Sequence, residues 1–249
     1  MATPCVGKGI RGISMNEINL IYDEFKDLFN RKKCPELFRA IDIVSSLPSN
    51  SHFPHALGNF AILYTPVPTA YQPKIMLLGN NPSWFVDVAA NRPLSEERKE
   101  VAKQIVLDME KGVPSKSSYV EHEHRFAKRI RTIFSNLGSL DILPDVVGMN
   151  WFWVQTGSNP YELKKVRLED WSSEQKKTEQ LNYLINYCRR KTGEIINQIA
   201  PKYLFVLGAD AQSEIHRMDI NISEINIIPA KHPDRSADLQ HQIGKILTQ

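Results

Sequence analysis

The chain lacks the features that announce several protein classes. Its three cysteines, Cys5, Cys34 and Cys188, lie far apart with no CxxC pair. That spacing argues against a zinc or iron–sulfur site, and the odd count argues against a disulfide framework. No apolar run approaches the ~18 residues of a membrane helix, and the N-terminus has no signal-peptide core. A cytoplasmic location is therefore the expectation. Neither GxGxxG nor GxxxxGK[ST] occurs, which weighs against phosphate-cradling nucleotide enzymes. Internal repeats and low-complexity segments are missing too. The net charge is only +3, so total charge does not mark a nucleic-acid binder, and local patches carry more weight.

What is present suits one large α/β domain or two small ones. The chain has 249 residues, 42% hydrophobic and 24% charged, close to an ordinary globular protein with a substantial core. Apolar positions Ile18, Ile21, Tyr22, Phe25, Leu28 and Phe29 have helical spacing over residues 16–30. Pro35 opens a second helix to about Ser46, and the Pro-, Ser- and His-rich residues 47–60 read as a loop. Lys74–Leu78 (KIMLL) is short, apolar and ended by Gly79, as a buried parallel strand would be. Ser95 to Lys111 reads as a charged surface helix, and residues 122–137 as another, ended by Gly138.

Asp145–Val154 (DVVGMNWFWV) predicts a second strand that continues into an aromatic segment. Ser172-Ser173-Glu174-Gln175 has the pattern of a capping box, opening a long helix to about Ile199 that Pro201 ends. Tyr203–Leu207 predicts a third strand, with Gly208 leading into a short helix. Ile225–Ile228 predicts a fourth, followed by the loop PAKHPDRSAD and a terminal helix from about Asp238. Strands alternating with helices predict a three-layer α/β/α fold around a four-stranded parallel sheet. Sites in such sheets lie beyond the carboxyl ends of the strands, where Gly79–Phe85, Met149–Trp151 and Ala230–Ser236 fall.

The residue types at those ends suit a flat, uncharged heterocycle. Gly79 permits a tight turn, Asn81 offers a donor and an acceptor, Pro82 stiffens the loop, and Trp84 and Phe85 offer stacking surface. Asn150 brings a second amide, and Lys231-His232-Pro233-Asp234-Arg235 brings a histidine donor and a basic tip. A flipped nucleobase is a ligand of this kind. The bland alternatives are a structural turn at Gly79–Asn81, a packed histidine at 232 and a strand cap at Asn150. Trp84, Trp151, Phe152 and Trp153 read as packing when taken as a group.

KIMLLGNNPSWF resembles the first motif of the uracil-DNA glycosylase superfamily, which reads GxNPG in the mismatch-specific and single-strand-selective branches and GQDPYH in another. KHPDRS resembles the second motif, HPSP with its neighbours. PKYLFVLGADAQ resembles the strand, glycine and helix that precede it, and DVVGMNWF the strand whose terminal asparagine reads the base. The likeness runs over roughly residues 60 to 245 and rests on four short motifs in order. It implies one glycosylase-like domain over 1–249, with 1–50 as an N-terminal helical extension packed on it.

The resemblance also implies roles. Asn81 matches the position that holds the hydrolytic water, and His232 the one that bonds the base O2 as negative charge develops. Asn150 matches the base-reading amide. Phe85 matches the stacking aromatic, with Trp84 as its competitor. Gly79, Asn80 and Ser83 fall around the base. Lys231, Arg235 and Ser236 fall where family members push a side chain into the duplex. A hydrolysis that forms an abasic site is implied, on single- or double-stranded DNA, by a monomer without cofactor or metal.

Two departures matter. Ser83 stands where one branch has a tyrosine that crowds C5 of the pyrimidine, so a C5-modified base fits the reading. The second motif is HPD rather than HPS. Removal of hypermodified cytosine from phage DNA and a non-catalytic DNA-binding role both stay open, as do Asp87 and Asp234 as water-activating carboxylates. Arg125, Lys128, Arg129 and Arg131 share a helix and, with Arg189, Arg190 and Lys191, are candidates for phosphate contacts. Glu121-His122-Glu123-His124 resembles a metal pair, but histidines two apart on a helix point to different faces.

Overall fold

A computed structural model describes residues 27, 32–45, 65, 73–80, 119–120, 125–153, 170–233 and 237–248. The expected helices over 16–30 and Ser95 to Lys111 lie almost wholly outside these residues. Four strands form one sheet: β1 (Ile75–Gly79), β2 (Val147–Asn150), β3 (Tyr203–Leu207) and β4 (Asn226–Ala230). Their order is β2-β1-β3-β4 and every neighbouring pair is parallel. Both faces are covered, so the fold is the expected three-layer α/β/α arrangement.

Strand alternation assigns each side chain to a face. Met76, Leu78, Val147, Met149, Leu204 and Val206 enter one core. That core is completed by α1 (Pro35–Ser45), α3 (Trp171–Ile199) and α4 (Ala209–Ile215). Ile75, Leu77, Phe205, Leu207 and Ala230 enter the other, under α2 (Arg125–Asn136) and α5 (Asp238–Leu247). With both faces dry, the strands read as unbroken apolar runs, which is why KIMLL and YLFVL are legible as strands.

Three boundaries differ from expectation. The long helix is not opened by a capping box. It begins at Trp171, and the carboxylate of Asp170 accepts the backbone N–H groups of Ser172 and Ser173 at 3.1 and 2.8 Å. Gln175, the position the box pairs with Ser172, instead donates its side-chain amide N–H to Glu179 at 3.1 Å, and Glu174 binds the buried Lys177 at 2.7 Å. The fourth strand starts at Asn226 and runs through Pro229 to Ala230. Proline is tolerated there because, among the described residues, β4 is an edge strand, bonded on one side only. The second strand stops at Asn150, although the backbone stays in step with β1: Trp151 N–H donates to Gly79 O and Phe152 N–H to Asn80 O. Among the described residues no helix is long and apolar enough to cross a membrane.

Candidate functional site

The strand order locates the crevice. From β1 the chain crosses to β2 on one side, whereas β3 and β4 lie on the other. The loops leaving β1 and β3 therefore diverge, and a ligand binds at the carboxyl ends beside such a divergence. At the carboxyl ends of the strands stand Gly79, the last residue of β1, with Asn80 after it, Asn150 at the end of β2, and Lys231 and His232 after β4.

Asn150 pairs in register with Gly79 and is only 2% exposed. Its Oδ1 lies 2.6 Å from the place a Cβ would occupy on Gly79, so the glycine makes room for the amide. Its Nδ2 is buried and has no hydrogen-bond partner among the described residues. Leaving such a donor unpaired costs roughly 1–3 kcal/mol, so it calls for a reason. Asn80 is tied to packing: the indole N–H of fully buried Trp151 donates to its Oδ1 at 2.6 Å. Trp151, Phe152 and Trp153 are all fully buried, as a packing role requires.

On the same sheet face, two residues before Asn150, Gly148 makes room for a second polar group. The hydroxyl of fully buried Tyr119 lies 2.0 Å from the place of a Gly148 Cβ. That hydroxyl also has no hydrogen-bond partner among the described residues, and burial pushes the phenol well above its usual range. The Gly148 N–H donates to the hydroxyl of buried Thr65 at 3.0 Å. The Tyr119 ring packs on Phe126 with centroids 5.9 Å apart, and Phe126 packs on His232 at 5.6 Å. His232 therefore belongs to the same aromatic layer as Tyr119. Lys231 is exposed, and its backbone N–H donates to the Asp238 carboxylate at 3.0 Å, tying the loop after β4 to the start of α5.

The basic residues divide. Lys128 and Arg129 are exposed on α2. Arg131 does not face outward for phosphate: its guanidinium donates to the carbonyls of Tyr119 and Val120 at 2.8 and 3.0 Å. Arg189, Arg190 and Lys191 do not join α2. They lie on α3, across the sheet, and pair with acids: Arg189 with buried Glu214, and Arg190 and Lys191 with Glu194. An acidic partner already holds each of them.

Asn81, Ser83, Trp84, Phe85, Asp87, Asp234, Arg235, Ser236, the run Glu121–His124 and the Arg125 side chain lie outside the described residues. Among the described residues no three His, Cys, Asp or Glu side chains gather as a metal cluster, and Cys34 and Cys188 are both unbridged. Burial pushes the Cys188 thiol up to about 12.

Sequence reasoning missed Tyr119, Phe126 and Thr65. The one available signal was Gly148, a glycine inside an apolar strand, which marks a close approach. Compared with known proteins, the chain matches no family model, and a search of curated proteins finds no significant match.

Proposed function

We propose that the chain is a monofunctional DNA glycosylase of the uracil-DNA glycosylase type, acting in the cytoplasm as a monomer without metal or cofactor. The observation that carries the reading is the buried, open amide of Asn150, at a strand end and on the sheet face that also bears His232. A flat heterocycle with polar edges is the ligand class that an amide and a histidine on one sheet face suit. The substrate is a uracil-like or C5-modified pyrimidine, in repair or in defence against hypermodified phage DNA.

Breaking an N-glycosidic bond develops positive charge on the sugar and negative charge on the departing base. A fixed donor at the base oxygen stabilises that charge, which is the part given to His232. Phe126 packs against the imidazole and limits its rotation, so the donor is held before the substrate arrives. Asn81 is given the water, which it can position but not deprotonate. Asn150 is given the base edge.

Mass spectrometry of bases released from a DNA panel tests the reading. The panel contains uracil, mispaired thymine, 5-hydroxymethylcytosine and glucosylated cytosine. Release of one base is expected, with Asn81→Ala abolishing it and His232→Ala slowing it by roughly 10²–10³ while folding persists. Full activity of both variants defeats the assignment. Tight DNA binding without release of any base leaves the fold a binding module instead.

A further inference from the structure

We propose that Tyr119 is a base-binding, specificity-determining residue whose hydroxyl works with the Asn150 amide as a two-point edge for a heterocycle bearing two hydrogen-bond acceptors. The proposal rests on the glycosylase reading only for taking that heterocycle to be a nucleobase in DNA.

Four observations carry it. Both polar atoms are buried and have no hydrogen-bond partner among the described residues. Both side chains lie over glycines of the sheet, the Tyr119 hydroxyl over Gly148 and the Asn150 amide over Gly79 with its Oδ1 nearest, at positions where any side chain would displace them. Gly148 and Asn150 are alternate residues of β2, so the two groups sit on one face, anchored at strand positions roughly 6.6 Å apart. Tyr119 is also held from behind: Arg131 grips its carbonyl at 2.8 Å, and Phe126 packs its ring and that of His232.

A tyrosine kept only to fill space is a poor choice at this position. Phenylalanine has the same shape and leaves no hydroxyl unsatisfied. Burial keeps the phenol protonated, so the hydroxyl stays neutral and can donate. The Asn150 Nδ2 donates as well. Two donors on one wall favour carbonyl oxygens and unprotonated ring nitrogens, and they disfavour an edge that carries N–H groups at both points.

The test compares the wild-type chain with Tyr119→Phe. Thermal unfolding without ligand should occur at the same or a higher temperature, since an unpaired hydroxyl has been removed. On the DNA base that the wild type releases, KM should rise about tenfold or more, with a smaller change in kcat and a narrower difference between preferred and rejected bases. Independently, 3-fluorotyrosine placed at 119 should shift its fluorine resonance when free uracil, cytosine or thymine is added. Unchanged KM and base preference in Tyr119→Phe, or a resonance indifferent to saturating base, overturns the proposal; an ordered water would then account for the hydroxyl. The two readings fail separately. Base release with an indifferent Tyr119 keeps the glycosylase and removes the Tyr119 role. A base-dependent resonance without release from DNA does the reverse, and neither effect removes both.

Discussion

The Asn150 amide oxygen stands 2.6 Å from where Gly79 would carry a Cβ, so the two strand ends are built around each other. A methyl at 79 must push the amide aside. Gly79→Ala is therefore expected to damage the site more than the fold. Stability should fall by about 1–3 kcal/mol, the usual range for overpacking. Base release should fall far more than that loss of folded protein explains. Chemical denaturation alongside base-release kinetics separates the two. Activity that merely tracks the folded fraction would show that Asn150 has no role beyond packing.

Gly148 makes the stronger prediction of the same kind. The Tyr119 hydroxyl and Cζ lie 2.0 and 2.7 Å from its Cβ position, and the ring behind them is fully buried. A rigid aromatic ring has little freedom to withdraw. Gly148→Ala should destabilise by about 3 kcal/mol, at the upper end for overpacking. Gly148→Ala combined with Tyr119→Ala should recover part of that loss, because the two changes share one space. Simple addition of the two single effects would refute the contact.

These glycines show what was legible in the sequence and what was not. β1 and β3 could be read from KIMLL and YLFVL because a strand buried on both faces must be apolar throughout. Asn150 stood out as the polar residue that ends such a run. The expected β4 stops two residues short because Pro229 looks like a terminator, and only the strand order shows that, among the described residues, it lies on an edge. Tyr119 carried no periodic signal at all. Its importance comes from a glycine 29 residues later in the chain and from an arginine on the next helix, relations that only the tertiary fold creates. Arg131 shows the same limit from the other side. Its charge is plain in the sequence, but the two carbonyls that absorb it are not.

The N-cap of α3 predicts a pH dependence. Hydrogen bonds from Ser173, then Ser172, hold the Asp170 carboxyl down to about 2, from an ordinary value of 3.8. A folded-state value below the unfolded one means that the cap contributes fully above about pH 4. The contribution is lost as pH falls through about 2. Amide exchange at Ser172 and Ser173 should accelerate over that window while the rest of α3 stays protected. Asp170→Ala should exchange quickly at those amides at every pH. If wild type and variant share one profile, another group caps the helix.

Glu214 is fully buried, and two arginines neutralise it: Arg189 at 2.9 Å and Arg217 at 3.1 Å. Glu214→Ala leaves the partly buried Arg189 without its acid. Loss of one partner of a buried pair costs about 3–5 kcal/mol. Arg217 is more than half exposed, so Arg217→Ala should cost much less, within about 1 kcal/mol. Urea denaturation of the two variants measures the contrast. Equal losses would mean that the pairing is a surface matter after all.

Two arginines of α2, two positions apart, should respond in opposite ways. Arg129 is exposed on α2 and, under the proposed function, approaches DNA; Arg131 spends its guanidinium on the carbonyls of Tyr119 and Val120. Arg129→Ala should leave the unfolding midpoint within about 0.5 kcal/mol of wild type, as at most surface sites. It should also weaken DNA binding uniformly across sequences and lower the salt slope by about one. Arg131→Ala should lose about 1–3 kcal/mol of stability from the unpaired carbonyls, with little change in the salt slope. Because Arg131 holds Tyr119, its removal should also raise KM for base release, in the same direction as Tyr119→Phe. A salt slope that falls in Arg131→Ala, with stability intact, would mean that the guanidinium reaches phosphate and that Tyr119 is held by its ring contacts alone.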